Sequence, residues 1–279
     1  MTIRIVTDST CDLPPSLAET HEITVLPTYV NVGRQSFLDG VELTRDEFYA
    51  QLPRYKRPPT TAAPAVGAFS AAYEKLAQDG ATGVLSIHLA SSLSGLLNAA
   101  RLGAQAAEGI EVCVFDSQQV SMGLGFLALS AARAAQAGAT IPQILEALEE
   151  QVRRTHVFAL LDTLEYLRRS GRVSWAEFGV GTLLQIKPLV HVHEGKVQSL
   201  EKVRTRTRAL SHLIQYIADL GSLRELALLH TANDDGARSL RQEASHLVPD
   251  HYEPVSVEVT PTIGAHVGPG ALGFACVVD

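Results

Sequence analysis

Residues 83–136 read GVLSIHLASSLSGLLNAARLGAQAAEGIEVCVFDSQQVSMGLGFLALSAARAAQ. Gly83–His88 is an apolar run of strand length that ends in a polar, serine-rich loop. Ser94–Ala107 then carries Leu and Ala at helical spacing, Glu111–Phe115 is a second short β-rich run, and Gln118–Gln136 is a second helical segment. Runs of that kind bounded by turn residues predict strand–helix–strand–helix. Consecutive strands separated by helices pair in parallel, and such a sheet is covered by helices on both faces.

Working outward, Ile3–Thr7 and Val25–Val32 read as strands. Thr44–Leu52 reads as a helix capped by Thr44, with Asp46 and Glu47 in its first turn, where negative charge complements the helix dipole. Ala65–Gln78, closed by Asp79-Gly80, and Pro142–Arg153 are further helices. In the second half, Leu160–Ser170 reads as a helix ending at Gly171, and Ala176–Leu184 as another short one. Leu189–His193 and Lys196–Val203 form a hairpin over Glu194-Gly195. Thr207–Leu220 and Asp234–Leu247 are helical, and Glu225–His230, Val255–Val259 and Phe274–Val278 are strands. The expectation is two α/β domains, 1–157 and 158–279, divided within about 155–160. The N-terminal domain has the mostly parallel sheet, and with no Pro/Ser-rich linker the halves should pack tightly.

Of 279 residues, 46% are hydrophobic and 19% charged, a globular composition. Lys plus Arg is 23 against 30 Asp plus Glu, a net charge of −7 that argues against a general nucleic-acid binder. Cys11, Cys113 and Cys276 lie far apart with no metal-ligand spacing, which fits buried thiols in a reducing compartment. The start MTIRIVTDST does not read as a signal peptide, and Gly123–Ala132 is too short and glycine-rich to span a bilayer. A soluble, cytoplasmic protein without stable membrane insertion is expected.

Gly268-Pro269-Gly270-Ala271-Leu272-Gly273 matches the dinucleotide fingerprint G-x-G-x-x-G, but it precedes a strand, whereas the fingerprint must open a helix. Gly123–Ala128 fits loosely but lies inside an apolar helix, where small residues permit close packing. His191 and His193 alternate on one face of a strand; without a third ligand nearby in sequence they read as solvated or hydrogen-bonded histidines, not a metal site. There is no nucleophile elbow, no H-E-x-x-H and no P-loop.

Hydroxyls gather in three loops: Asp8-Ser9-Thr10, Thr60-Thr61 after Pro58-Pro59, and Ser91-Ser92-Leu93-Ser94-Gly95. Loops at the carboxyl ends of parallel strands are where ligands sit, and a helix N-terminus attracts an anion without Lys or Arg. Each loop alone reads as helix capping rather than binding; taken together they read as either, and Thr61 and Ser94 can then donate to one small anion backed by an apolar tail. His266, in the Gly/Pro-rich stretch Thr262–Gly270, is the sharpest single candidate, either as a hydrogen-bond donor or as an acid or base.

In order, Thr7-Asp8-Ser9-Thr10-Cys11-Asp12-Leu13-Pro14, Thr60-Thr61, Ser91–Gly95, Phe115-Asp116-Ser117 with Ser121-Met122-Gly123, Tyr166–Arg172, Lys187-Pro188-Leu189, Lys202–Arg206 and Gly264–Gly270 resemble the DegV family of fatty-acid-binding proteins. The resemblance implies a two-domain α/β fold with a long-chain fatty acid, such as palmitate, buried at or near the domain interface. It implies that Thr61, Ser94 and His266 hold the carboxylate, with no metal and no cofactor. It further implies a lipid-binding protein without turnover that presents the carboxylate to a separate ATP-dependent fatty acid kinase. Arg172 and Arg204 would then dock that partner. Arg172 reads equally as a cation complementing a helix C-terminus; Arg204 lies in the densest basic cluster of an acidic chain. Ala62-Ala63 and Leu96-Leu97 stand where family members often carry Gln and Thr-Tyr. The competing readings are a Ser94/His266 hydrolase or acyl transferase, and a carrier of another lipid with no kinase partner.

Overall fold

The computed structural model describes residues 2–173, 186–249 and 252–279. Its first sheet holds four parallel strands in the order β2-β1-β6-β7: β1 (Ile3–Asp8), β2 (Ile23–Leu26), β6 (Gly83–His88) and β7 (Val112–Asp116). Helices α3 (Val66–Gln78) and α4 (Leu96–Ala106) cover one face through Phe69, Tyr73, Leu96 and Ala100, packed on Val6 and Val84. On the other face Ile5, Leu85 and Ile87 meet α5 (Met122–Gln136) and α1 (Pro15–Thr20). Successive strand residues thus enter different cores, and every residue of β6 is buried.

The second sheet is six-stranded and mixed, in the order β10-β9-β8-β13-β11-β12. Its strands are β8 (Thr155–Leu160), β9 (Lys187–His193), β10 (Lys196–Val203), β11 (Leu223–His230), β12 (Val255–Glu258) and β13 (Leu272–Val278). Only β11–β12 is a parallel pair. Helices α8 (Arg206–Ala218) and α9 (Asp234–Glu243) cover its outer face over Phe158, Leu228 and Phe274. A small antiparallel sheet, β4-β3-β5, comprises β3 (Tyr29–Val32), β4 (Gln35–Leu38) and β5 (Thr60–Ala62). The remaining helices among the described residues are α2 (Arg45–Gln51), α6 (Ile141–Arg154), α7 (Glu165–Ser170) and α10 (Pro261–Val267).

Helix α5 is the keystone of the main core. Its residues pack with Ile5 and Leu85 of the first sheet and with Val157, Ala275 and Val277 of the second, so it is buried on nearly all sides. That position explains its glycines: a Cβ at Gly123 would lie 2.7 Å from Val157 Cγ2, and one at Gly125 2.8 Å from the Cys11 carbonyl oxygen. The reading of these small residues as close-packing positions holds.

Several expectations need correction. Val25–Val32 is two strands broken at Pro27-Thr28, with β2 in the parallel sheet and β3 in the small antiparallel one. The helix expected over Leu160–Ser170 spans only Glu165–Ser170, because Leu160 ends β8, a strand the sequence reading missed. The second central helix begins at Met122, four residues beyond Gln118. The Gly/Pro-rich stretch around His266 is mostly helix α10. The helix expected over Ala176–Leu184 lies outside the described residues. Thr44 caps α2 in a full capping box with Glu47, and Glu194-Gly195 turns the β9–β10 hairpin at positive φ in both residues.

Candidate functional site

A pocket of about 170 Å³ lies where loops of the parallel sheet face the inner side of the six-stranded sheet. Its walls are aliphatic: Leu89, Leu93, Leu96 and Val120 from the first half, and Val157, Ala159, Val190, Val192 and Leu229 from the second. On β8 and β9 the residues facing the pocket alternate with Phe158, His191 and His193, which therefore point to the opposite face. Polar lining comes from Thr10, Thr28, Thr61, Ser94, Ser121, His230, Thr231, Thr262 and His266, with Arg172.

Each sequence-predicted carboxylate ligand reaches this cavity by a different route. Thr61 sits on the edge strand β5, reached through Pro58-Pro59. His266 occupies the last turn of α10, and its Nε2 lies 3.0 Å from Thr61 Oγ1. Gly264 allows α10 to approach Tyr49, since a Cβ there would lie 2.4 Å from the Tyr49 hydroxyl, which donates to the Val259 carbonyl. Gly268 ends the helix at φ +78°. The glycines around His266 thus set a helix and its exit.

Ser94 precedes α4, whose N-cap is Gly95. Its Oγ accepts a hydrogen bond from the Leu96 N–H at 3.2 Å, so the serine does perform the capping-type role weighed from sequence. A hydroxyl accepting in this way keeps its own proton to donate. Ser92 instead donates to the Gly195 carbonyl, and the Ser91 N–H donates to the Asp116 carboxylate. Of the serines in that loop, only Ser94 faces the pocket.

Burial, and then the Arg172 charge, push the His266 imidazole down to about 4, so it is neutral near pH 7. In the tautomer that carries Nε2–H, the ring donates to Thr61 Oγ1 and leaves the Thr61 hydroxyl proton for another acceptor. Arg172 lines the pocket while its guanidinium donates to the Ser170 carbonyl at 2.6 Å. Arg204 is exposed and does not line the pocket. The arrangement can take a carboxylate or similar small anion through neutral hydroxyls and a helix N-terminus, with apolar space behind it.

Sequence reasoning missed the polar network behind this end. Thr28 Oγ1 lies 2.6 Å from Thr262 Oγ1, and both residues line the pocket. Thr28 and Ser9 donate to Asp39, whose carboxyl burial pushes up. Asp12 accepts from the Ser121 hydroxyl at 2.6 Å and the Thr260 N–H at 2.7 Å, yet complete burial raises its pKa to about 7. Thr28 stood in a break misread as continuous strand, so nothing in the local pattern marked it.

The Asp12 shift fixes a sign. With a folded pKa of about 7 against an ordinary 3.8, the folded chain holds this proton more tightly than the unfolded one. That stabilisation is complete below about pH 4 and is lost as pH rises through about 7, at up to ~1.4 kcal/mol per unit. His266 acts oppositely, withdrawing stability as pH falls from 6.5 through about 4. In urea unfolding at about pH 5 and about pH 8, Asp12→Asn should lose less stability between the two than wild type does. Equal losses in both proteins would refute the assignment.

The fold and the pocket have close counterparts. The family model described as "Uncharacterised protein, DegV family" matches residues 2–279. A DegV domain-containing protein of Streptomyces coelicolor, SCO2569, is 38% identical over 273 residues, covering 97% of this chain and 96% of that protein. Two similar solved structures are a DegV family protein of Thermus thermophilus described as fatty acid binding and DegV of Bacillus subtilis, a fatty acid binding protein. Each is 32% identical with a TM-score of 0.91, and each comparison covers 100% of both chains. Matched along nearly its whole length in both sequence and fold, this chain belongs to the DegV family.

Proposed function

We propose that this protein binds one long-chain fatty acid in the pocket between its two sheets and has no turnover of its own. The observation that carries the reading is a single cavity, aliphatic on most of its walls, into which Thr61, Ser94 and His266 project. By the same volume measure one water needs about 10–15 Å³, so the space suits a chain of more than about ten carbons. In this reading Thr61 and Ser94 donate to the carboxylate, and neutral His266 orients Thr61. In this reading two units, expected as 1–157 and 158–279, meet around the acyl chain, with the division at the α6–β8 junction, Arg154–Thr155, rather than inside β8.

The finer reading is that the protein presents its carboxylate to a separate ATP-dependent fatty acid kinase. A carboxylate oxygen attacks the γ-phosphorus of ATP on that partner, the bond to the bridging oxygen breaks, and acyl phosphate and ADP result. Neutral donors support this role, because a bidentate arginine clamp would occupy both oxygens. Arg172 at the pocket and exposed Arg204 are the proposed docking cations, and the cytoplasm is the compartment that holds ATP and reduced thiols. No described helix is long and apolar enough to cross a membrane. The Ser94/His266 hydrolase is the weaker alternative, since His266 Nε2 is bonded to Thr61. The serine–histidine–aspartate chain Ser86–His88–Asp8 is fully buried, with no route for substrate.

Native mass spectrometry of the purified protein, with lipid identification after denaturing extraction, should give one fatty acid per chain. A bare-chain mass that added fatty acid does not shift would end the proposal. With a kinase partner supplied, Arg204→Ala should retain lipid yet lose most acyl phosphate formation; unchanged formation would remove Arg204 from the docking surface.

A further inference from the structure

We propose that His156, His191 and His193 form a binding site for a zinc-class divalent metal ion, on the face of the six-stranded sheet opposite the acyl pocket. One ring nitrogen from each of the three lies within 4.8 Å of the other two. In the β8–β9 pairing Val157 is opposite Val192 and Phe158 opposite His191, which sets His156 beside His193 on the same face. Two histidines at i and i+2 on one strand and a third on its antiparallel neighbour present three imidazoles to one point, a donor set that suits zinc.

The rings are already gathered. His156 stacks on His193 with centroids 4.2 Å apart, and His156 Nδ1 lies 3.0 Å from His191 Nε2. His193 Nδ1 donates to the Thr155 carbonyl at 3.0 Å, which fixes its tautomer and leaves Nε2 as a lone-pair donor. Glu194 Oε2, 4.0 Å from His193 Nε2, offers a fourth ligand and a neutralising charge. With Zn–N about 2.0–2.1 Å, a tetrahedral nitrogen triangle has edges of roughly 3.3 Å, so closing it needs about 1.5 Å of ring movement. One hydrogen bond is exchanged: whichever of His156 and His191 donates in the pair moves its proton to its other ring nitrogen, and both lone pairs turn to the metal.

Position suggests the consequence. The same stretches of β8 and β9 carry Val157 and Val192 into the pocket wall, so a metal here clamps that wall from behind. The test is titration of the full chain, stripped with chelator, with Zn²⁺ alone, and with Co²⁺ as a spectroscopic probe. Expected are one equivalent bound, visible d–d absorption of tetrahedral Co²⁺, and a rise in Tm with Zn²⁺. Loss of a ligand must exceed the about 10–100-fold that second-layer partners cost, so His156→Gln and His193→Gln should each weaken binding by at least about a hundredfold. His193 is only half-buried near the strand end, so His193→Gln keeps the comparison available if His156→Gln fails to fold. No Zn²⁺ uptake by wild type, or uptake unchanged in His193→Gln, would overturn the site.

Discussion

The Thr61→Val/Ser94→Ala double variant is expected to lose fatty acid affinity by roughly 10²–10⁴ while remaining folded. Hydrogen bonds to a charged group contribute about 1.5–3 kcal/mol each, and every 1.4 kcal/mol is about tenfold in affinity. Valine matches threonine in shape and suits the edge strand β5, so the pocket wall is preserved while its donor is lost. Ser94→Ala also removes the acceptor of the Leu96 N–H at the start of α4, a loss of about 1 kcal/mol that lowers Tm slightly. Titration with a long-chain fatty acid, read by native mass spectrometry or displacement of a fluorescent acyl probe, separates the effects. Unchanged affinity in a folded double variant would move the head group elsewhere, with Thr28 and Thr262 the next hydroxyls to test. The two single variants should not add, because either remaining hydroxyl can still hold one oxygen.

Ser94 was legible as a hydroxyl in the loop after β6, whereas Thr60-Thr61, expected as a loop, forms the edge strand β5, and Thr61 was legible only as one of a Thr pair in an apolar chain. The parallel sheet was legible for a related reason: Gly83–His88 is buried on both faces, so its apolar run is continuous and bounded by turns. The pocket wall was not legible. It is assembled from alternate residues of β8 and β9, with Leu229 and His230 at the end of β11, and the other residues of these strands serve a second core or the histidine cluster. Nothing local distinguishes a valine lining a cavity from one filling a core. Strand β8 was lost because its apolar run THVFAL follows α6 without a break and is too short to separate from helix by periodicity. His191 and His193 are hydrogen-bonded, but the third member of their cluster lies 35 residues away from His191 in sequence. Only the β8–β9 register brings His156 to them.

Gly273→Ala should be among the most damaging single-atom additions to this protein, and the reason also disposes of the nucleotide reading of Gly268–Gly273. A Cβ at Gly273 would sit 2.3 Å from the Phe158 carbonyl oxygen, which is backbone and cannot swing aside. Gly273 lies opposite Ala159 in the β13–β8 ladder, so relief requires separating two strands in the interior of the six-stranded sheet. Overpacking of this kind costs about 3 kcal/mol, and at about 2–4 °C per kcal/mol for a chain of this size Tm should drop by roughly 6–12 °C. Because Gly273 also lines the pocket, bound fatty acid should fall with it. Gly270→Ala should be milder: its φ of +83° is unfavourable for alanine, but the nearest side-chain atom, Asp162 Cβ, is 3.4 Å away. Gly268 is required by its φ of +78° and by the Tyr166 ring, 2.3 Å from where a Cβ would stand. Each of the three glycines therefore has its own steric cause, and none opens a helix toward a phosphate. Thermal melts of the Gly270 and Gly273 variants check the ranking, and equal Tm losses would show that the strand contact is not what Gly273 protects. Added dinucleotide should leave the wild-type melt unchanged; a rise in Tm that Gly270→Ala removes would restore the phosphate-binding role.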